Sequence, residues 1–197
     1  MAGKNLMHLL RFIVKQDEPY TQTTASERNL ISKYARGKSK AVEIGVYEGV
    51  NTITIAAAIA EGGTLYGIDP FFKGKLGICW GKWVAVLSMK RAKVRDKVIL
   101  VEKLSFDAIN DVPSEIDFIF IDGDHSYEGI KKDWELFSDI VKPNGYILLH
   151  DTLVPEFDLS RASLGSIQFY KDVVTSDERF ELVDSVDSLT VLKRKHT

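Results

Sequence analysis

A chain of 197 residues, 45% of them apolar, is long enough for one sizeable core and short for two. Its 26 basic and 28 acidic side chains leave a formal net charge of -2, which argues against a general binder of nucleic acid or other polyanions. The single cysteine, Cys79, excludes an intramolecular disulfide and fits a reducing compartment. The first run, with Met7, Leu9, Leu10, Phe12, Ile13 and Val14 around Arg11, is expected to form an amphipathic helix over 5–15. It suits neither a signal peptide nor a membrane span, so a cytoplasmic location without a membrane partner is expected. A second helix is expected over 26–36, with Ser26 as its cap before Glu27.

From residue 41 onward strands and helices alternate. Strands are expected over 41–45, 64–69, 98–102, 116–122 and 146–150. Helices are expected over 51–61, 81–95, 105–110 (short), 127–141 and 163–175. In the helix over 127–141, Tyr127, Ile130, Trp134, Phe137 and Val141 recur at three- and four-residue steps. Strands apolar on both faces imply a parallel sheet covered on both sides. Two further strand-like runs, 180–184 and 189–193, are separated by four residues. That gap suits a hairpin and is too short for a helical crossover, so the sheet should end in an antiparallel strand.

In such a sheet a ligand sits beyond the carboxyl ends of the strands. Those ends read Glu43-Ile44-Gly45, Gly67-Ile68-Asp69, Asp122-Gly123-Asp124-His125 and His150-Asp151-Thr152. Three cofactor loops compete. The dinucleotide fingerprint fails because Tyr47 and Val50 stand where its second and third glycines belong. Gly37-Lys38-Ser39 imitates the end of a P-loop, but Ser32 replaces the required glycine and a helix precedes it where a strand belongs. S-adenosyl-L-methionine has a sulfonium and no phosphate. It needs a close backbone approach, which Gly45 and Gly49 offer, and an acid for two ribose hydroxyls, which Asp69 offers.

The segments "VEIGVYEGVNT", "YGIDPF", "IDFIFIDGDHSYEGIKKD" and "PNGYILLHDT" resemble the successive motifs of class I S-adenosylmethionine-dependent methyltransferases. The likeness is greatest to the methyltransferase 24 and catechol-type O-methyltransferase group, and it covers residues 26–195. The fold implied is a single Rossmann-like α/β domain over 41–197. It has a mostly parallel seven-stranded sheet, helices on both faces and a C-terminal antiparallel hairpin. Helices within 1–40 would pack on that core. The activity implied is methyl transfer from S-adenosyl-L-methionine, expected at a hydroxyl of a small molecule. Glu43, Gly45 and Gly49 would then lie near the methionine part of the cofactor, with Tyr47 among the contacts of the same loop. Asp69 would hold the ribose, Ser105 would contact adenine, and Asp122 would flank both cofactor and acceptor. His125 falls where catechol-type enzymes place a catalytic lysine. With Asp122 beside it, it is the candidate base.

The resemblance also implies a divalent metal, magnesium or calcium, on Asp122 and Asp151. Thr152 follows where those enzymes carry a further amide or acid, and Asp124 is the residue that could compensate. If the strand pattern runs on, His150 should point to the opposite side. Other readings of the same residues stay open. Asp122 or Asp124 could cap the helix that begins near Tyr127. Asp122-Gly123-Asp124 imitates the metal-holding D-x-D of glycosyltransferases. A non-catalytic cofactor-binding module is a third class. Phe71, Phe72, Trp80 and Trp83 are candidates for lining an acceptor pocket. The N-terminal helix is a candidate surface for a homodimer.

Overall fold

The computed structural model describes residues 6–74 and 76–196, and the expected helix start at residue 5 lies outside them. Six helices are found there: α1 Leu6–Ile13, α2 Ala25–Ala35, α3 Val50–Ala58, α4 Trp80–Arg91, α5 Tyr127–Phe137 and α6 Gly165–Asp172. The strands are β1 Lys40–Ile44, β2 Thr64–Ile68, β3 Val98–Val101, β4 Ile116–Ile121, β5 Val141–Leu149, β6 Phe180–Val186 and β7 Leu189–Arg194. They form one seven-stranded sheet in the order β3-β2-β1-β4-β5-β7-β6. The first five are mutually parallel, and β7 runs antiparallel to both β5 and β6. The expected mixed sheet with its terminal hairpin is therefore present, and the last strand lies inside the sheet. Among the described residues no helix is long and apolar enough to cross a membrane.

Several boundaries differ from expectation for identifiable reasons. The cap of α2 is Thr24, not Ser26. Thr24 Oγ1 accepts from the Glu27 amide at 3.1 Å, and the Glu27 carboxylate accepts from the Thr24 amide at 2.8 Å. This reciprocal pair needs Thr and Glu three apart, a spacing Ser26 cannot meet with Glu27. Helix α4 stops at Arg91 because the chain turns left-handed at Lys93, φ 58°. Residue 141 opens β5 instead of closing α5, and pairing is irregular between Ile116 and Phe118, where Lys142 to Gly145 bulge out. The short helix expected over 105–110 is two 3-10 turns, Ser105–Asp107 and Ile109–Asp111.

Every residue of β4 is buried, which fixes it as the central strand. One face carries Trp134, Phe137, Phe169 and Phe180, and the other Ile55, Met89, Phe118, Phe120 and Leu148. Burying each such side chain contributes about 1.5–3 kcal/mol before entropy is counted. Helix α1 adds Leu9 and Phe12 to a smaller cluster with Val84, Trp80 and Leu87 of α4. The chain lays β2 and β3 to one side of β1, then returns to place β4 and β5 on the other. At that reversal the loops after β1 and β4 part and leave a crevice.

Candidate active site

The crevice is a cleft of about 590 Å³ lined by Gly45, Tyr47, Asp69, Ser105, Asp122 and His125 among other residues. Strand register makes this convergence inevitable. Ile44 pairs with both Ile68 and Ile121, so residues 45, 69 and 122 leave the sheet at one level. Gly45 has φ 93°, and a Cβ there would stand 2.1 Å from the Asp122 carbonyl oxygen. Gly49, φ 85°, caps α3 and faces Ala85, and it is not part of the lining. Asp69 spends both oxygens on backbone: Oδ2 accepts from the Tyr47 amide at 2.9 Å and Oδ1 from the Phe71 amide at 2.7 Å. Each oxygen retains a lone pair for a further donor. Those bonds hold Tyr47 and Phe71 in left-handed conformations, φ 52° and 44°.

Glu43 lies beneath this loop, fully buried and outside the cleft lining. Burial pushes its carboxyl well above the usual range, Thr52 facing it offsets part of that, and Asp122 and Asp69 add repulsion. Of the four aromatics, Phe72 lines the cleft, Phe71 is core, Trp80 packs with α1 and Trp83 faces solvent. A segment not singled out from sequence closes one side. Tyr20, Thr21 and Gln22 line the cleft, and the Tyr20 amide donates to buried Glu48 at 2.6 Å. His8 reaches the same carboxylate at 3.0 Å and stacks on the Tyr20 ring at 4.1 Å.

The opposite wall is ionic. His125 stands 3.9 Å from Asp122 through Nε2 and 3.5 Å from Asp151 through Nδ1. His150 bonds Asp122 through Nδ1 at 2.9 Å and meets Glu27 through Nε2 at 3.3 Å. Glu27 in turn accepts from the Ser188 amide at 3.0 Å and hydroxyl at 2.7 Å. Burial opposes a charge on His150, but Asp122, Glu27 and Asp151 outweigh it and lift its pKa to about 10. Burial likewise opposes the Glu27 charge, and His150 with the Thr24 and Ser188 donors brings its pKa down to about 2. The expectation that His150 points away is corrected. Strand β5 ends at Leu149, which pairs with Ile121, so His150 follows beside Asp122. Asp151 then adopts φ 53°, and Arg161 clasps its carboxylate. Neither Asp122 nor Asp124 caps α5. Ser126 does, accepting from the Gly129 amide at 3.1 Å, while Asp124 accepts from the Ser126 amide at 2.9 Å.

Residues 42–152 match the family profile of the methyltransferase 24 group, described as a methyltransferase domain. The chain belongs to the methyltransferase 24 family. Solved structures with S-adenosylmethionine-dependent methyltransferase folds resemble this methyltransferase 24 chain over most of its length. The O-methyltransferase of Bacillus cereus in complex with S-adenosylhomocysteine is 18% identical with a TM-score of 0.66, covering 96% of this chain and 90% of that one. TomG of Streptomyces achromogenes, an O-methyltransferase involved in tomaymycin synthesis and solved with S-adenosylmethionine, is 17% identical with a TM-score of 0.64, covering 97% and 89%. The S-adenosylhomocysteine-bound methyltransferase PaMTH1 of Podospora anserina is 15% identical with a TM-score of 0.66, covering 89% and 80%. At these identities the likeness shows the fold. Uncharacterized protein R132 of Acanthamoeba polyphaga mimivirus is 27% identical over 124 residues, 62% of this chain and 56% of the viral protein, so the match spans little more than half of that relative.

The expected metal ligands do not fit a divalent ion as this methyltransferase 24 chain arranges them. Asp122 is bonded to His150, Asp151 is clasped by Arg161, and Asp124 is tied to its own loop. Thr152 turns inward and pairs with the Thr190 hydroxyl at 2.9 Å. No group of three or more His, Cys, Asp or Glu side chains offers a metal site among the described residues. Two basic side chains supply the positive charge beside these carboxylates. Besides the 20–22 segment, sequence reading turned His150 the wrong way and passed over Asp133. Both left a signal: register places residue 150 next to 122, and Asp133 lies on the apolar stripe of α5, three residues after Ile130 and four before Phe137.

Proposed function

We propose that this chain binds S-adenosyl-L-methionine in the cleft and methylates a hydroxyl of a small molecule. The observation that carries this reading is the convergence of Gly45, Tyr47, Asp69, Ser105, Asp122 and His125 on one cleft at the reversal of strand order. Bound there, S-adenosylmethionine supplies a methyl group on a positively charged sulfur, the electrophile of an in-line displacement. Asp69 accepts from the ribose hydroxyls, its position set by the Tyr47 and Phe71 amides. Gly45 brings main chain close to the methionine part. Leu104, Ser105 and Phe106, with Ile44 and Ile68, line the region assigned to the base. His125 takes the acceptor's proton on Nε2, the nitrogen on the side of Asp122, which lines the cleft where Asp151 does not. The two carboxylates compensate the charge His125 gains. His150 and Arg161 pair with those carboxylates and hold them in place.

Calorimetry with S-adenosylmethionine and with a sugar nucleotide tests the first step, and release of S-adenosylhomocysteine over a panel of hydroxyl acceptors tests the second. Binding of the sugar nucleotide instead would favour the D-x-D alternative. Binding of S-adenosylmethionine without turnover on any acceptor would favour the non-catalytic module.

A further inference from the structure

The place of the ion expected at Asp122 and Asp151 is taken by side chains of the protein itself. Arg161 sits on a 3-10 turn, Leu159–Ser163, that follows β5 in the chain. Its Nη1 clasps Asp151 Oδ1 and lies 3.5 Å from Ser188 Oγ, and its Nε donates to Asp158 Oδ2 at 3.2 Å. Asp158 is held within the same turn, where it accepts from the Ser160 amide at 3.2 Å. The other Asp151 oxygen, Oδ2, faces His125 Nδ1 at 3.5 Å and His150 Nδ1 at 3.6 Å. Asp151 is 3% exposed, and its carbonyl accepts from the Ser166 hydroxyl at 2.6 Å. Both its side chain and its main chain are therefore committed to protein partners.

A magnesium or calcium ion needs about six oxygens around it. Here both oxygens of Asp151 and Oδ1 of Asp122 face nitrogen, and Thr152 is turned toward Thr190. An ion could enter only by displacing Arg161 from a buried carboxylate, which would set two cations against one acid. A lysine or histidine in that place could yield by losing its proton. A guanidinium keeps its charge throughout the working range of a protein. We propose that Arg161 stands in for the divalent ion: it supplies fixed positive charge at Asp151 and bars an ion from the cleft, so that methyl transfer here is metal-free. The exclusion of an ion stands on the geometry alone, and the metal-free reaction rests on the methyl transfer proposed above. Arg161 is thus a positioning residue. It lies outside the cleft lining and holds Asp151 toward His125.

Manganese is the probe, because it takes the same oxygen ligands and its free ion is read directly by electron paramagnetic resonance. The full wild-type chain should leave manganese free up to about 1 mM. Tighter binding that Asp122→Asn removes overturns the proposal, and binding that Asp122→Asn leaves unchanged lies outside this site and supports it. Arg161→Gln should bind manganese at least about tenfold more tightly than wild type, and adding Asp151→Asn should remove the gain. Asp158→Asn, which releases Arg161 Nε, should shift affinity the same way by a smaller factor, and it serves if the glutamine variant does not fold. No gain in either overturns the role of Arg161. With S-adenosylmethionine and an accepted hydroxyl, turnover after chelation should stay within about twofold of turnover with added magnesium. A need for magnesium overturns the proposal and leaves methyl transfer standing. No methyl transfer under either condition sinks the functional reading, and the manganese results still decide the role of Arg161.

Discussion

At the ends of β1 and β2 the cleft wall is made of backbone. Gly45 lets the chain pass against the Asp122 carbonyl, and Asp69 is spent on two amides that hold left-handed residues. At the ends of β4 and β5 the wall is made of paired charges, Asp122 with His150 and Asp151 with Arg161, with His125 between them. The first wall has one shape and tolerates few substitutions. The second has a charge balance, and its members depend on one another across the sheet. A ligand with a fixed body and a variable partner suits that division: shape for the constant part, charge for the step in which a proton moves.

Three measurements can break or sharpen this contrast. The largest effect is expected at the ionic wall. His125→Ala should lower methyl-transfer turnover by about 10²–10⁴-fold while leaving S-adenosylmethionine affinity within about twofold. Equal turnover in mutant and wild type would remove His125 from the chemistry. At the backbone wall, Gly45→Ala should cost about 3 kcal/mol or more of stability, because the new Cβ both clashes and sits at positive φ. Urea unfolding would measure it, and an unchanged midpoint would mean that the loop after β1 is free to shift.

The smallest effect is a slope with pH. The raised His150 adds stability that is complete below its ordinary value of 6.5 and is lost as pH rises through about 10. The lowered Glu27 adds stability that is present above its ordinary 4.5 and is lost as pH falls through about 2. Between those two ordinary values both contributions are complete, while the raised Glu43 and Asp133 carboxyls, which the unfolded chain ionises first, make melting temperature fall as pH rises. The His150 and Glu27 losses add an alkaline and an acid limb outside that window, each group contributing at most about 1.4 kcal/mol per pH unit. His150→Gln should flatten the alkaline limb. An alkaline limb identical to wild type would show that the His150 charge is not what couples Asp122 to Glu27.

The contrast also explains what could be read before any coordinates. The backbone wall was legible because its demands fall on residue type: only glycine suits Gly45, and one acid ends β2. The strands were legible mainly as short apolar runs bounded by turns, although β5 begins at Val141 with a polar stretch and β6 carries Glu181, Asp184 and Ser185. The cap of α2 was misplaced although Thr24 and Glu27 stand at capping-box spacing, because Ser26 competes locally and tertiary contacts do not show in the pattern. The ionic wall was half legible. Asp122, Asp151 and His125 stand out, but the network around them runs through His150 to Glu27 and Ser188, which lie far apart in the chain, and through Arg161, ten residues beyond Asp151, and nothing local announces those pairings. The orientation of His150 depended on one residue of strand length. Thr152, which stands where the related enzymes carry a further amide or acid, is turned into the sheet toward Thr190.

The place of β7 links the site to the order in which the chain is made. Strands β1 to β6 leave the ribosome before β7, yet β7 lies between β5 and β6. Until residues 188–194 emerge, β5 has an open edge and β6 has no neighbour in the sheet. Glu27, synthesised early, meanwhile lacks both of its Ser188 bonds, and through His150 it is connected to Asp122. The glycine loop and Asp69 can take shape on a nascent chain that already holds β1, β2 and β4. The charge network on the other side of the cleft is completed only once Ser188 and β7 have been made, so a chain arrested before β7 would present the glycine-loop wall of the cleft without a finished ionic wall.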